Sequence, residues 1–393
     1  AAGSGAGAGA STMAGGCSAG VFSSNSGRSV ATGVLSGWPV NQISATDTGR
    51  QSPELDTYDG GPQAKAQSSQ MGFWLVLLLV AAYLLSYSGG FHAIDEVSVA
   101  AMTESLVKHG QVTTDQIWWS QAWTPSQGRI GPDGHLYSKK GVGSALLGAP
   151  FYWLSLHLPE SGAVQALMLA NAFVTALTGW LVYACVIRLG YRPLVAVLTA
   201  LGYGLATMAW PYARYFFSEP LTALGLMAGL WGLLAYRQSG QGRYAVLAGV
   251  GLGMALLAKV ANVITWPLFV VYGLWVALRH RGPARAQGRR RLVEFALAFL
   301  LPLVAAGVVL VLYNAARSGH PLDLGYAADE TFSTPLWQGL AGLLVSPGKS
   351  LFLYSPILLA ALFGIPALLR RDPATALLSL GVVAVYPLLY AGW

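Results

Sequence analysis

The chain has 393 residues, 54% of them apolar and only 10% charged, with a formal net charge of +7. Soluble domains carry roughly 25% charged residues, so this much apolar sequence excludes a single soluble core and marks a polytopic membrane protein. Cys17 and Cys185 are the only cysteines, which excludes a disulfide framework and a zinc-type cysteine cluster.

Residues 1–70 form a Gly/Ala/Ser-rich, low-complexity tail with few large apolar side chains. Such a segment cannot bury enough surface to offset its chain entropy. It reads as an extension or a tether, and other membrane subunits are the partners it would serve. The second region, 71–393, is built of apolar segments long enough to cross about 30 Å of hydrocarbon at 1.5 Å per residue. Spans are expected near 71–88, 161–187, 193–213, 220–236, 244–260, 262–278, 293–314, 351–369 and 374–392. The stretch GVGSALLGAPFYWLSLHLP (141–159) is shorter, broken by Gly and Pro and rich in aromatics, which suits a re-entrant or interfacial helix. The fold class is therefore an all-α polytopic membrane protein.

Charge sets the orientation. The segments 188–192, 236–244, 279–291 and 369–373 fall on one side and hold twelve of the 23 Lys and Arg, with Asp372 their only acid. By the positive-inside rule these loops face the cytoplasm, as does the tail, and the loops 89–142, 214–219 and 315–350 lie outside. The basic excess is thus topological, and no interleaved basic and aromatic groove suggests nucleic acid. The chain is expected in the plasma (inner) membrane, with its active face external or periplasmic.

The external side carries the acids Asp95, Glu96, Glu104, Asp115, Asp133, Glu160, Glu219, Asp323, Asp329 and Glu330. A transporter gathers polar groups at mid-membrane, whereas here the spans are nearly free of ionisable groups, Lys259 being the main exception. The distribution suits an enzyme working at the outer surface. Three external stretches stand out. In GGFHAIDEVS (89–98), Asp95 reads either as the N-cap of a helix through EVSVAAMTESLVKHG with Glu96 in its first turn, or as a working carboxylate with Glu96 beside it. The two readings are compatible, because a capped helix holds a base rigidly. In HLYSKKGVGSALLGAPFY (135–152), Lys139 and Lys140 at a Gly-rich turn suit a lipid phosphate, with Tyr137 alongside, or they are ordinary snorkelling lysines. In WPYARYFFSEPLTAL (210–224), Arg214 and Glu219 sit at a turn where a Glu before Pro220 is also a common helix start.

These stretches in this order resemble the membrane-embedded GT-C glycosyltransferases, especially bacterial relatives of the protein O-mannosyltransferases and the lipid A aminoarabinose transferase. A first span followed by AIDEVSVAAMTESLVKHGQ, then LYSKKGVGSALLGAPFYWL, WPYARYFFSEPLTAL and SPGKSLFLYSPILLAALFG (346–364) carries the likeness. The resemblance covers about 71–393 and implies a GT-C-like helix bundle with juxtamembrane helices in a large first external loop. It implies that Asp95, with Glu96 beside it, is the essential acid after the first span. Glu219 then matches the acid of the second external turn, and Lys139, with Lys140 as substitute, holds the donor phosphate. Related chains continue with further spans, so an ending at YAGW reads as truncated.

The function expected is sugar transfer from a polyprenyl-phosphate donor to an acceptor hydroxyl, by inversion, with Asp95 as general base. Lys139, Arg214 or a divalent metal ion would stabilise the departing phosphate. No cofactor is demanded; a metal between Asp95 and Glu219 is an open alternative. The competing readings are a non-catalytic subunit of a larger membrane assembly and a lipid or sugar flippase.

Overall fold

In a computed structural model, residues 62–123, 127–279, 285–324 and 332–393 are described, with side chains described from 68 onward and, in the third segment, from 288. The tail reading for 1–61 and the external acids Asp329 and Glu330 lie outside them. All described residues belong to one unit, 53–393.

The apolar segments fold as helices close to where the hydropathy places them. Helix α1 (Pro62–Leu85) leads to α2 (Ile94–His109), which Gly110 terminates in the left-handed conformation at φ +67°. A 3-10 turn (Asp115–Ala122) and an antiparallel hairpin follow, β1 (Gly128–Ile130) pairing with β2 (Leu136–Ser138). That hairpin is the one sheet among the described residues. Helix α3 (Gly143–Ser155) has 13 residues, about 20 Å at 1.5 Å each, too short to cross and in keeping with the interfacial reading of 141–159.

Then come α4 (Ala163–Arg188), α5 (Pro193–Ala206), the short α6 (Ala209–Tyr212), α7 (Glu219–Ser239) and α8 (Gly242–Ala258). A 3-10 turn (Val260–Thr265) runs into α9 (Trp266–Arg279), and α10 (Arg285–Ser318) is the longest helix described. After α11 (Leu336–Leu344), the span read at 351–369 is split into α12 (Leu351–Tyr354) and α13 (Ile357–Arg371), because Pro356 interrupts the ladder. Helix α14 (Pro373–Ala391) ends the chain. Five of these segments are long and apolar enough to cross a membrane: 68–85, 163–188, 260–279, 288–318 and 373–391. Pro193–Ala206 and Gly242–Ala258 are apolar but shorter.

Two clusters hold the bundle. Leu233, Leu252, Phe269, Phe295, Phe299 and Leu303 join α7 to α10, and Leu75, Leu79, Tyr83, Ala172 and Ala176 join α1 to α4. Helices α7 and α8 meet through Gly225, Gly229 and Gly232 against Gly251, Ala255 and Ala248. Small residues let backbones approach where lipid supplies no hydrophobic drive. On α10, Leu297, Leu301, Val304 and Leu312 point outward and stay exposed, the surface a bilayer would cover. At the basic ends, buried Asp372 caps α14 through the Thr375 N–H at 3.3 Å and pairs with Arg237 at 2.6 Å.

Candidate active site

The opposite helix ends, where α7 begins and α8, α10 and α14 finish, carry Glu219, Lys259 and Arg317. Adjacent Asp95 and Glu96 divide the two readings of their stretch. Ala93, not Asp95, occupies the N-cap of α2. Glu96, fully buried, sits at the third helical position and turns back onto the His92 and Ala93 N–H groups at 2.6 and 3.0 Å. That is the carboxylate half of a capping box. Its other oxygen accepts the Phe216 N–H at 2.8 Å. Three backbone donors beside a helix N-terminus satisfy this charge. Both oxygens of Glu96, expected at the reacting centre beside Asp95, are thereby occupied in holding the α2 start against the 214–218 turn.

Asp95 points elsewhere. Its Oδ2 accepts from Lys140 Nζ at 2.5 Å, while Oδ1 accepts no hydrogen bond among the described residues. Lys140 is delivered by a turn, Ser138–Gly141, that follows β2. The turn is braced: Ser98 Oγ donates to Ser138 Oγ at 2.6 Å, and the Lys140 N–H donates to the same oxygen at 3.0 Å. Behind it, Tyr313 and Arg317, one turn apart on α10, donate to the carbonyls of Ser138, Lys139 and Lys140 at 2.8–3.3 Å. Gly141 lies so close to the Leu257 and Ala258 backbone that a Cβ there would collide with both carbonyl oxygens.

Glu219 opens α7, and its Oε1 accepts from Lys259 Nζ at 3.2 Å. Lys259 sits where α8 breaks into the 3-10 turn, its ammonium 5.2 Å from the Tyr390 ring centroid. Arg317 is 2% exposed and donates through its terminal nitrogens to the carbonyls of Ser138, Lys139 and Asp323 and to Asn314 Oδ1, all neutral oxygens.

Asp95, Glu219, Lys139, Lys140, Lys259 and Arg317 line one cavity of about 150 Å³. The three lysines, with Val260 and Leu324, also line an adjoining groove of about 590 Å³, whose other walls include Ile264, Phe332, Leu389, Tyr390 and Trp393. A cationic chamber therefore shares a wall with an apolar trough. Besides Glu96, two expected residues are not among its walls. Tyr137 donates its hydroxyl to Asp133 at 2.7 Å, and its ring packs with Met102, Val142 and Tyr313. Burial, then that carboxylate, push its phenol pKa up. Arg214 lies over the Tyr215 ring, its guanidinium 5.9 Å from the centroid.

Lys259 and Arg317 carry no role in the sequence reading, yet both had a signal. Lys259 is an isolated ionisable residue inside apolar sequence, and Arg317 closes the polar run YNAAR at the end of a long span. As for a metal, the described residues contain no group of three or more His, Cys, Asp and Glu suited to one. Asp95 and Glu219 each hold an ammonium, of Lys140 and Lys259.

Residues 146–320 match the family model described as dolichyl-phosphate-mannose-protein mannosyltransferase. The match agrees with the resemblance to the GT-C membrane glycosyltransferases over that segment, a little under half of the chain. The matched segment includes Arg214, Glu219, Lys259 and Arg317 and begins after Asp95 and the lysine turn. Among solved structures, the S. cerevisiae protein O-mannosyltransferase Pmt1-Pmt2 complex bound to the sugar donor is similar at 14% identity and a TM-score of 0.48, covering 71% of this chain and 37% of that one. The oligosaccharyltransferase AglB from Archaeoglobus fulgidus, in complex with an inhibitory peptide and a dolichol-phosphate, is similar at 14% identity and a TM-score of 0.46, covering 81% and 39%. The chain thus spans less than half the length of either. No curated protein matches the sequence.

Proposed function

We propose that this protein is an integral membrane glycosyltransferase that moves a sugar from a polyprenyl-phosphate donor to an acceptor hydroxyl at the external membrane face. The observation that carries this reading is the joined cavity and groove. Four cations against two carboxylates line the chamber, and the adjoining trough is apolar. A polyprenyl phosphate presents the matching pair, an anionic head on a long apolar tail. Lys139, Lys140 and Lys259 all line both spaces, which supports placing the phosphate among them, and the nearby Arg317 adds positive charge.

In this mechanism Asp95 Oδ1, the open oxygen, accepts the proton of the acceptor hydroxyl as that oxygen attacks the anomeric carbon. The bond from carbon to phosphate oxygen breaks, its electron pair leaves with the polyprenyl phosphate, and the cations of the chamber offset the developing charge. A single displacement inverts the anomeric centre. Glu219 orients the acceptor from the start of α7. The positive-inside pattern supports the external face, and polar groups gathered at helix ends favour an enzyme over a transporter with a midplane site.

The test is to incubate the full-length protein in lipid nanodiscs with polyprenyl-phosphate mannose, labelled in the sugar, and envelope extract as acceptor. Transfer of label with release of polyprenyl phosphate supports the reading. A donor that is neither bound nor consumed, under conditions where an established transferase uses it, overturns it.

A further inference from the structure

The two lysines of the turn are adjacent in sequence, and the resemblance treats one as a substitute for the other. The contacts of Lys140 give it a role of its own. Lys140 is held at both ends. Its ammonium meets Asp95 at 2.5 Å, its N–H is taken by Ser138, and its carbonyl accepts from Tyr313. The next residue, Gly141, is wedged against the end of α8. On α2, Asp95 and Ser98 are three positions apart and so share a face. They meet Lys140 and Ser138 as two parallel rungs, of 2.5 and 2.6 Å. The Ser98–Ser138 rung is buried, with both residues at most 1% exposed, while the Asp95–Lys140 rung is at the chamber, about 30% exposed.

Such a ladder does not leave the ammonium free to travel to a ligand. It fixes a carboxylate by one oxygen and presents the other. That is the relation of an orienting group to a base, in which a third residue sets the angle at which the base meets its proton. We infer that Lys140 is a positioning residue for Asp95 and not a ligand of the donor phosphate, which falls to the other cations of the chamber. Ser98, Ser138, Tyr313 and Arg317 hold it in register. The inference rests on the functional reading above.

The two roles make opposite kinetic predictions. A phosphate ligand acts on donor affinity, whereas an orienter acts on turnover, because a misplacement of about 1 Å costs on the order of a hundredfold in rate. The experiment uses the full-length protein in nanodiscs and measures both polyprenyl monophosphate binding and transfer from polyprenyl-phosphate mannose. For Lys140→Met we expect kcat to fall about a hundredfold, with donor KM and polyprenyl phosphate Kd within about threefold of the parent. Lys140→Arg, which keeps a donor to Asp95, recovers part of kcat. Ser98→Ala, which cuts only the neighbouring rung, gives a smaller loss of the same kind.

Retained binding certifies that each variant is folded. A Kd weakened tenfold or more in Lys140→Met and in Lys140→Arg, with Ser98→Ala unchanged in kcat, would overturn the inference and leave the functional reading standing. A parent protein that neither binds polyprenyl monophosphate nor uses the donor overturns both.

Discussion

Glu96 accepts the Phe216 N–H at 2.8 Å across 120 positions of sequence, so that a buried carboxylate joins the start of α2 to the turn that precedes α7. The two half-exposed carboxylates of the chamber, Asp95 and Glu219, stand one and three residues from this tie. That link brings both of them to one cavity.

Replacing Glu96 with Ala leaves three backbone N–H groups without their acceptor. Each unsatisfied buried donor costs about 1–3 kcal/mol, and partial access to water reduces the sum, so a loss of about 2–4 kcal/mol is expected. A clearly lower thermal unfolding midpoint in detergent checks this. Glu96→Gln, which keeps one acceptor oxygen, falls between. An unchanged midpoint in Glu96→Ala would show the tie to be dispensable.

Lys259→Met removes an ammonium shared by the chamber and the groove. A hydrogen bond to a charged group contributes about 1.5–3 kcal/mol, so polyprenyl monophosphate binding should weaken about 10–100-fold. Titration against the lipid phosphate, with plain polyprenol as control, reads the effect. Equal loss for polyprenol would place the change in the groove instead.

Ile264→Trp puts bulk into the apolar trough. The KM for a donor with a full-length polyprenyl tail should rise, while a donor with a short water-soluble tail is used as before. The ratio of kcat/KM for the two donors is the measurement, and an unchanged ratio would exclude the trough as the site of the tail.

His135 Nδ1 lies 2.6 Å from Asp115 at the end of the hairpin, and that hydrogen bond, then the charge, raise the imidazole pKa above its ordinary 6.5. A group whose folded pKa is raised stabilises fully below the unfolded value and loses its contribution as pH rises through the folded one. Amide exchange protection over the hairpin should therefore decline from pH 6 to pH 8, and His135→Gln should flatten that dependence. The ring is largely exposed, so the effect is local and salt-sensitive.

Much of this arrangement was legible in the sequence, for reasons that differ by element. Apolar runs of spanning length must pair their backbone internally, and so α4, α9, α10 and α14 fall where hydropathy puts them. The short α3 follows from its Pro and Gly, whereas 351–369 reads as one continuous span and Pro356 splits it. Local patterns do not report which partner a side chain finds. Nothing within DEVS distinguishes Asp95 from Glu96, because the distinction is made by Lys140 and Phe216 from distant stretches. Tyr137 adjoins the lysines in sequence, yet the alternation of β2 sends it to Asp133 and Met102. Arg214 shares a turn with Glu219 and faces Tyr215. Lys259 and Arg317 come from the ends of α8 and α10, whose meeting is a product of the bundle.

Asp95→Asn tests most directly whether Asp95 is the base of a lipid-linked sugar transfer. In full-length protein in nanodiscs, with polyprenyl-phosphate mannose as donor, the substitution keeps the shape of the side chain and removes its capacity to take a proton. Transfer is expected to fall by a factor of about 10²–10⁴, the usual contribution of a general base, with polyprenyl monophosphate bound as tightly as by the parent. Transfer at the parental rate with binding intact would contradict the account.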